Sequence, residues 1–359
     1  MKIAIIIPNI IDSTPYVKNF TDVFDRIGAE YEFICWNRNE LKIVSKEKEK
    51  KYVFNHPGPE SNSLWRKMYD YWLFSRFVIK CLSNTQYDYL TVHTIVCGFF
   101  LNNFLKNNFE GRYVFDIRDY SPITPFINKQ IEKLIYNSSF SVISSNGYKK
   151  WLPQKYDYIL GHNVRKKLIE NSINDQRDDD ILPLFDEIRI LTIGQIRDFE
   201  SNSRIIDSFG NKNKIKLIFA GSGLEKEKLE KFSKERYSNI YFTGRYQKNE
   251  EKKIVENSDF INIVLPSSSL FRTQMSNRFY LSLVSRKPMI VNSESIQAGF
   301  VKKYKLGIVV NSTDDIYDKL TEYIREFDKN VFDNGCEEMI AKIFQDINNF
   351  EGEIIKRFV

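Results

Sequence analysis

The sequence is poor in the residues that build metal clusters and disulfide frameworks, with 4 cysteines and 3 histidines among 359 residues. The cysteines lie far apart and form no C-x-x-C pair, which predicts free, mostly buried thiols in a reducing compartment. The histidines share no helical i, i+4 spacing, which argues against a zinc site. We therefore expect no bound metal and no other cofactor.

Long apolar runs are also absent, since none reaches the roughly 18–20 residues that a membrane-spanning helix needs. The apolar stretch at residues 2–7 is followed at once by Pro8 and Asn9, without a small-residue cleavage site. This pattern predicts a strand rather than a signal peptide. The expectation is a cytoplasmic protein.

Charge of one sign is in only slight excess. Lys and Arg number 53 against 47 Asp and Glu, a net charge of +6. This balance argues against a nucleic-acid partner and suits an anionic small molecule or an acidic membrane surface. The charged run at residues 46–51 is interpreted as a solvated segment, with lipid-headgroup contact as the alternative.

Hydrophobic residues make up 42% of the chain, enough for sizeable cores. Short β-rich runs, mostly apolar on both faces, alternate with longer segments suited to helices, as in parallel sheets covered by helices. The predicted strands are residues 2–8, 31–36, 87–93, 112–117, 140–144 and 158–161, then 188–193, 216–220, 240–243, 260–265, 288–292 and 307–310. A polar stretch at 166–187 interrupts the rhythm. We predict an α/β protein with two doubly wound, Rossmann-like parallel-sheet domains, 1–165 and 188–343, facing a central cleft.

Residues 64–79 are unusually rich in aromatic side chains. Their apolar positions cover nearly the whole circumference of a helix, which favours a helix buried in the core over one lying at a membrane interface.

The residues that follow the strands of the second half suit an anion. Parallel sheets bind ligands beyond the carboxyl ends of their strands. There the sequence places glycines for tight turns, guanidinium groups, an aromatic ring that could stack on a base, and a serine N-cap whose helix start could hold a diphosphate. The predicted donor-binding residues are Gly194, Arg197, Gly221, Gly223, Arg245, Tyr246, Arg272, Ser276, Asn277 and Arg278.

These stretches resemble the donor domain of GT-B glycosyltransferases, particularly the retaining family 4. The similar segments, in the family's order, are residues 190–197, 217–229, 239–245, 257–266 and 275–291. The first half resembles the acceptor domain more faintly, at residues 87–93, 113–119, 143–153 and 161–164. The resemblance implies that the second domain binds a nucleotide-sugar, that the first presents an acceptor hydroxyl, and that a last helix at 344–359 packs back onto the first domain.

The sequence departs from family 4 at its paired glutamates. Counted back from Arg286-Lys287-Pro288, their positions hold Thr273 and Leu281, and Gln195 stands at the common arginine position. The resemblance is therefore assigned to the GT-B superfamily rather than to family 4 itself.

The resemblance implies transfer of a sugar from a nucleotide diphosphate, UDP rather than GDP, with retention. The acceptor would be a surface polysaccharide or lipid-linked oligosaccharide, and the protein would lie at the inner face of the membrane. His93 and Asp119 are the predicted catalytic residues. An inverting enzyme would need a general base, for which Asp116 and Asp12 are further candidates.

Three other interpretations stay open. Asp178-Asp179-Asp180 mimics the D-x-D metal site of the other glycosyltransferase fold but lies in the polar stretch, which predicts plain solvated charge. A nucleotide-sugar epimerase would need paired carboxylates and histidines. An accessory subunit that binds glycan or a partner transferase would explain the missing glutamates.

Overall fold

A computed structural model of the chain describes residues 1–11, 14–38, 51–59, 62–174, 187–266 and 268–358. These residues form two compact units. Unit 1 contains Met1–Lys166 and Gln345–Val359, and unit 2 contains Lys167–Phe344. Three features of the sequence lie outside the described residues: Asp12, the charged run at 46–50 and the aspartates at 178–180.

Unit 1 is built on a seven-stranded sheet in the order β3-β2-β1-β4-β5-β6-β7, in which all paired strands are parallel. The strands are β1 (Lys2–Ile7), β2 (Glu30–Asn37), β3 (Lys51–Asn55), β4 (Tyr89–His93), β5 (Tyr113–Ile117), β6 (Phe140–Ile143) and β7 (Tyr158–Leu160). The helices of its first part are α1 (Val17–Arg26), α2 (Leu64–Asn84), α3 (Ile95–Phe109) and α4 (Asn128–Asn137). Of these strands, only β3 was missed by the sequence pattern.

The central strand of unit 1 is buried on both faces. Ala4 and Ile6 belong to the core that contains residues of α2 and α3, whereas Ile3 and Ile5 belong to the core that contains residues of α1. This two-sided burial explains why β1 is apolar without alternation.

Unit 2 is built on a six-stranded sheet in the order β10-β9-β8-β11-β12-β13, again parallel at every pairing. Its strands are β8 (Ile188–Gln195), β9 (Ile215–Ser222), β10 (Ile240–Gly244), β11 (Phe260–Ile263), β12 (Met289–Asn292) and β13 (Gly307–Val310). The helices that follow α4 are α5 (Lys166–Asn174), α6 (Phe199–Phe209), α7 (Lys226–Lys234), α8 (Glu251–Glu256), α9 (Ser269–Thr273), α10 (Asn277–Val284), α11 (Ile296–Lys303), α12 (Ile316–Arg325) and α13 (Lys329–Phe358). The prediction of two α/β sheets of parallel strands is confirmed.

Helix α13 is much longer than the predicted helix at 344–359, because it begins at Lys329. From Gln345 onward it belongs to unit 1, where Phe350, Ile354 and Phe358 are buried in the core beside α1. The first part of the predicted linker, residues 166–174, is also helical and forms α5.

Helix α2 is buried on one face only. Phe74 and Val78 are fully buried, whereas Trp65, Tyr69 and Trp72 are 86%, 50% and 45% exposed. The helix therefore packs on the core with one face, as a core helix does, but the aromatic residues of its other face are exposed, which the sequence pattern did not predict. Over the described part of the chain, no helix combines the length and the hydropathy needed to cross a membrane.

Candidate functional site

The carboxyl edge of the unit 2 sheet has a point where the strand order reverses. Strands β9 and β10 lie on one side of β8, and the chain then returns to the other side to form β11. Ligands of open parallel sheets bind outside such a reversal. Arg278 spans it, because Nε donates to the Ile193 carbonyl of β8 at 2.5 Å and Nη1 donates to the Asn262 carbonyl of β11 at 3.4 Å.

Arg278 is held in place by the start of α10. Ser276 is the N-cap, and its hydroxyl accepts from the Arg278 amide at 3.2 Å. Burial lowers the pKa of Arg278 to about 10, so the guanidinium is still a cation at neutral pH. A third donor, Nη2, bonds the Gln195 carbonyl at 3.1 Å. Arg278 thus ties the strand ends together through three of its five guanidinium N–H groups.

The glycines at this edge of the sheet are in close contact with the protein's own backbone. Gly194 and Gly221 are opposite each other in the β8–β9 register. Gly221 has a φ of +144°, and a Cβ there would lie 1.8 Å from the Gly194 carbonyl oxygen. A Cβ on Gly223 would lie 2.1 Å from the Ile196 carbonyl oxygen. Close approach of two strand ends therefore explains these glycines, and their contact with a phosphate stays a prediction.

Two further predicted residues follow β10 on the same edge. Arg245 is exposed, and its Nε donates to the Ser222 hydroxyl at the end of β9 over 3.1 Å. The Tyr246 hydroxyl donates to the Glu251 carboxylate at 3.3 Å. Burial and the Glu251 charge raise the pKa of Tyr246 to about 12, so the phenol is protonated at neutral pH. A cation and a protonated aromatic side chain thus follow the end of β10.

Three other predicted donor-binding residues are more exposed than Arg278. Arg197 follows the end of β8 at the surface, and Asn277 is the exposed first residue of α10. Arg272 forms an ion pair with Glu294 at 2.6 Å, and both side chains are nearly half exposed. This pairing offsets the positive charge of Arg272 that the sequence suggested for a phosphate.

Gln297 was missed by the sequence analysis. It lies on α11 with no exposed surface, and its Oε1 accepts from the Ser276 amide at 3.2 Å. Its Nε2 is buried and has no hydrogen-bond partner within the described parts of the chain. A lone glutamine early in a helix carries no sequence signal, so only the packing reveals this unused donor beside α10.

Unit 1 contains a cavity of about 390 Å³ at the carboxyl edge of its own sheet. Three strand ends contribute to its wall: Arg38 directly follows β2, Thr94 directly follows β4, and Asp119 comes shortly after β5. Lys67 and Tyr71 of α2 complete this part of the lining. The structure therefore places the predicted residue Asp119 in a cavity wall.

His93, the other predicted catalytic residue, is not part of that lining. It has no exposed surface. Its Nδ1 lies 2.5 Å from Asp116 Oδ2 and its Nε2 lies 3.1 Å from the Thr91 hydroxyl, so both ring nitrogens have partners inside the protein. Asp116 is equally buried. This environment fits a positioning role for His93, and its contact with a sugar stays a prediction.

The third histidine of the chain also has a partner inside unit 1. His162 is buried, with Nε2 3.1 Å from Asp346 Oδ2 of α13. Among the residues that the structure describes, no three His, Cys, Asp or Glu side chains are grouped so as to hold a metal ion. All four cysteines are buried and free.

Comparison with known proteins bears on the fold. No protein-family model and no curated protein matches the chain. Among solved structures, sucrose-phosphate synthase from Thermosynechococcus elongatus matches with a TM-score of 0.75 at 12% identity, over 100% of this chain and 99% of that one. The chain has the GT-B fold. The predicted resemblance is confirmed at this level.

Other structures support the GT-B assignment. An α,α-trehalose-phosphate synthase (UDP-forming) from Burkholderia vietnamiensis matches with a TM-score of 0.67 at 9% identity, over 99% of both chains. HepE from Anabaena in complex with UDP matches with a TM-score of 0.67 at 11% identity, over 100% of this chain and 99% of that one. At such identities the likeness shows the fold alone.

Proposed function

We propose that this GT-B chain is a glycosyltransferase whose unit 2 binds a nucleotide diphosphate sugar, UDP rather than GDP. The observation that carries the proposal is the Arg278 cation at the strand-order reversal, tied to the ends of β8 and β11 at the start of α10. A guanidinium and a helix start together favour a diphosphate. UDP-bound HepE and a UDP-forming synthase among the structural neighbours support UDP as the nucleotide.

Catalysis on this proposal depends on stabilising the leaving diphosphate. Arg278 and the amides that open α10 supply fixed positive charge, which stabilises negative charge developing in the transition state. We infer transfer with retention, in which the acceptor hydroxyl attacks on the face that the diphosphate leaves and the diphosphate takes its proton. Asp119 would orient that hydroxyl, and no metal is required. Analysis of the anomeric configuration of the product by NMR tests retention.

We further propose a lipid-linked oligosaccharide or surface polysaccharide as acceptor, reached at the inner face of the membrane. The exposed aromatic side chains of α2, above all Trp65 and Trp72, support this proposal because tryptophan favours the membrane–water interface. Exposed Arg76 on the same helix suits anionic headgroups.

The donor site is tested by titrating the protein with UDP, GDP and UDP-sugars in a calorimeter. UDP should bind more tightly than GDP, and Arg278→Lys should weaken UDP binding about tenfold or more, because an ammonium cannot reproduce the guanidinium fork. Arg189→Met is the matched control, since Arg189 lies at the opposite end of β8 and pairs with Glu187. Absence of UDP binding by the intact protein would contradict the proposal.

An accessory role is the second candidate, favoured by Thr273 and Leu281 at the positions of the family's glutamates. Nucleotide binding without hydrolysis or transfer over a panel of acceptors would favour it. An epimerase would instead convert a UDP-sugar in the absence of any acceptor.

A further inference from the structure

The cavity of unit 1 contains a guanidinium with unused donors. The Arg38 guanidinium carbon lies 4.1 Å from the Trp36 ring centroid and 4.7 Å from the Tyr71 ring centroid, so the planar group packs against both aromatic rings. Its Nε and Nη2 are buried, and neither has a hydrogen-bond partner among the described residues. A buried donor without an acceptor is destabilising, and more so when the group is charged. Two adjacent donors of this kind indicate a ligand that accepts from both.

Thr94 provides independent evidence on the same cavity wall. Its φ of +75° lies in the left-handed region, which is strained for a β-branched residue. Its hydroxyl is buried and, over the described part of the chain, has no hydrogen-bond partner. Thr94 precedes α3, a helix without a side-chain cap, and Ile95 and Val96 of the first turn also line the cavity. The positive end of this helix therefore adds to the attraction for an anion.

The charged groups of the cavity wall are Arg38, Lys67, Asp70 and Asp119. The Asp70 carboxylate is already paired, since its Oδ1 lies 3.1 Å from Arg66 Nε and 2.9 Å from His56 Nε2. The other charged groups of the wall are the two cations and the Asp119 carboxylate. Such a set suits a molecule that carries both an oxyanion and a hydroxyl.

We propose that this cavity binds the acceptor sugar through an oxyanion, a phosphate or a carboxylate. Nε and Nη2 of Arg38 donate to two of its oxygens, Lys67 and the Thr94 hydroxyl support it, and Asp119 accepts from a sugar hydroxyl. The volume of about 390 Å³ lies within the usual range for small-molecule sites. This inference rests on the proposed function and adds the chemical class of its acceptor.

The test is equilibrium binding to the full chain. The ligands are a hexose phosphate, a hexuronate, a sugar on a short-chain alkyl diphosphate, and an uncharged hexose. At least one oxyanion ligand should bind about tenfold or more tightly than the uncharged hexose. Preference for the alkyl diphosphate sugar identifies a lipid-linked source, and preference for the hexose phosphate or hexuronate identifies a soluble one.

Substitutions of residues that line the cavity test whether the oxyanion binds there. Arg38→Met should weaken oxyanion binding about tenfold or more, and Arg38→Lys should recover only part of it because it keeps the charge but not the fork. Lys67→Met should also weaken it, and it keeps the test decisive if Arg38→Met does not fold. Lys80→Met is the control, because Lys80 is exposed on the same helix as Lys67 and does not line the cavity.

Equal binding of charged and uncharged hexoses would overturn the inference, as would unchanged affinity in the folded Arg38 and Lys67 variants. UDP binding measured in the same samples separates the two proposals. If the parent protein does not bind UDP, the proposed donor site is contradicted. If it binds UDP normally but does not distinguish charged from uncharged hexoses, only the proposed acceptor cavity is contradicted.

Discussion

At the scale of single residues, unit 1 has a buried ionic cluster at the carboxyl ends of β4 and β5. Asp116 Oδ2 lies 2.5 Å from His93 Nδ1 and 2.7 Å from Arg118 Nε. Burial opposes ionisation of Asp116, but Arg118 and His93 outweigh it and hold the Asp116 pKa below its ordinary value. Arg118 also donates to the Gly161 carbonyl at 2.8 Å. The cluster therefore fastens the strand ends from which the cavity residues Thr94 and Asp119 emerge.

Asp116→Asn should destabilise the protein by about 3–5 kcal/mol at neutral pH, because it leaves the buried Arg118 cation without its counter-charge. Since folding lowers the Asp116 pKa, the carboxylate contributes its stability above the unfolded-state pKa of about 3.9 and loses it as the pH falls through the folded-state pKa. The difference between parent and variant should thus shrink below about pH 4. Urea unfolding at pH 7, 4 and 3 measures it.

The matched control for this prediction is Asp22→Asn. Asp22 pairs with Lys18 at 3.2 Å, and both side chains are nearly half exposed. The control should cost less than about 1 kcal/mol. A pH-independent difference for Asp116→Asn, or one as small as the control's, would contradict the ionic role.

The sequence identified strand ends better than it identified the partners of the residues there. Asp119 and Arg278 were predicted because they follow strands or open a helix, features visible locally. The carbonyl acceptors of Arg278 lie up to 85 residues away in the sequence, and the rings that contact Arg38 come from β2 and α2. Such pairings depend on tertiary packing, so a single sequence cannot separate a ligand-binding cation from one that ties strands together.

At the scale of elements, α2 shows where pattern analysis fails. Aromatic residues spread around the helix, so the hydrophobic periodicity pointed to no particular face. The structure buries Phe74 and Val78 and leaves Trp65 and Trp72 on the surface, with Tyr69 stacked on Trp72 at 5.8 Å between ring centroids. Packing against the sheet determines which face of such a helix is buried in the core. The exposed side is then available for a membrane interface.

Trp65→Ser combined with Trp72→Ser should weaken binding to anionic phospholipid vesicles about tenfold or more, since two interfacial anchors are lost. Vesicle cosedimentation measures the effect. Phe126→Ser is the control, because Phe126 is 85% exposed but belongs to a 3-10 turn rather than to α2. Equal binding by the double variant and the parent, or no binding by the parent, would contradict the proposed membrane contact.

At the scale of the whole molecule, the alternation of apolar runs and helical segments was enough to predict two parallel α/β sheets. The resemblance of ordered motifs then led to the GT-B fold. The early start of α13 was missed because Lys329–Phe358 combines residues of two cores in one helix. Phe332 is buried in its unit 2 part and Phe350 in its unit 1 part. The periodicity argument assumes one hydrophobic face along the whole helix, and a helix that is buried in two different cores does not meet this assumption.

This division predicts that two matched substitutions on α13 destabilise different units. Phe350→Ala removes a ring that packs on Phe20 at 4.9 Å in unit 1, and Phe332→Ala removes one that packs on Phe327 at 5.7 Å in unit 2. Each substitution should lower the free energy of unfolding by about 3–5 kcal/mol, the usual range for a buried phenylalanine.

Hydrogen exchange read by mass spectrometry should show lost protection in β1 and β4 for Phe350→Ala and in β11 and β12 for Phe332→Ala. UDP binding should survive Phe350→Ala better than Phe332→Ala, because the proposed donor site lies in unit 2. Identical exchange profiles in the two variants would contradict the assignment of the two halves of α13 to separate cores.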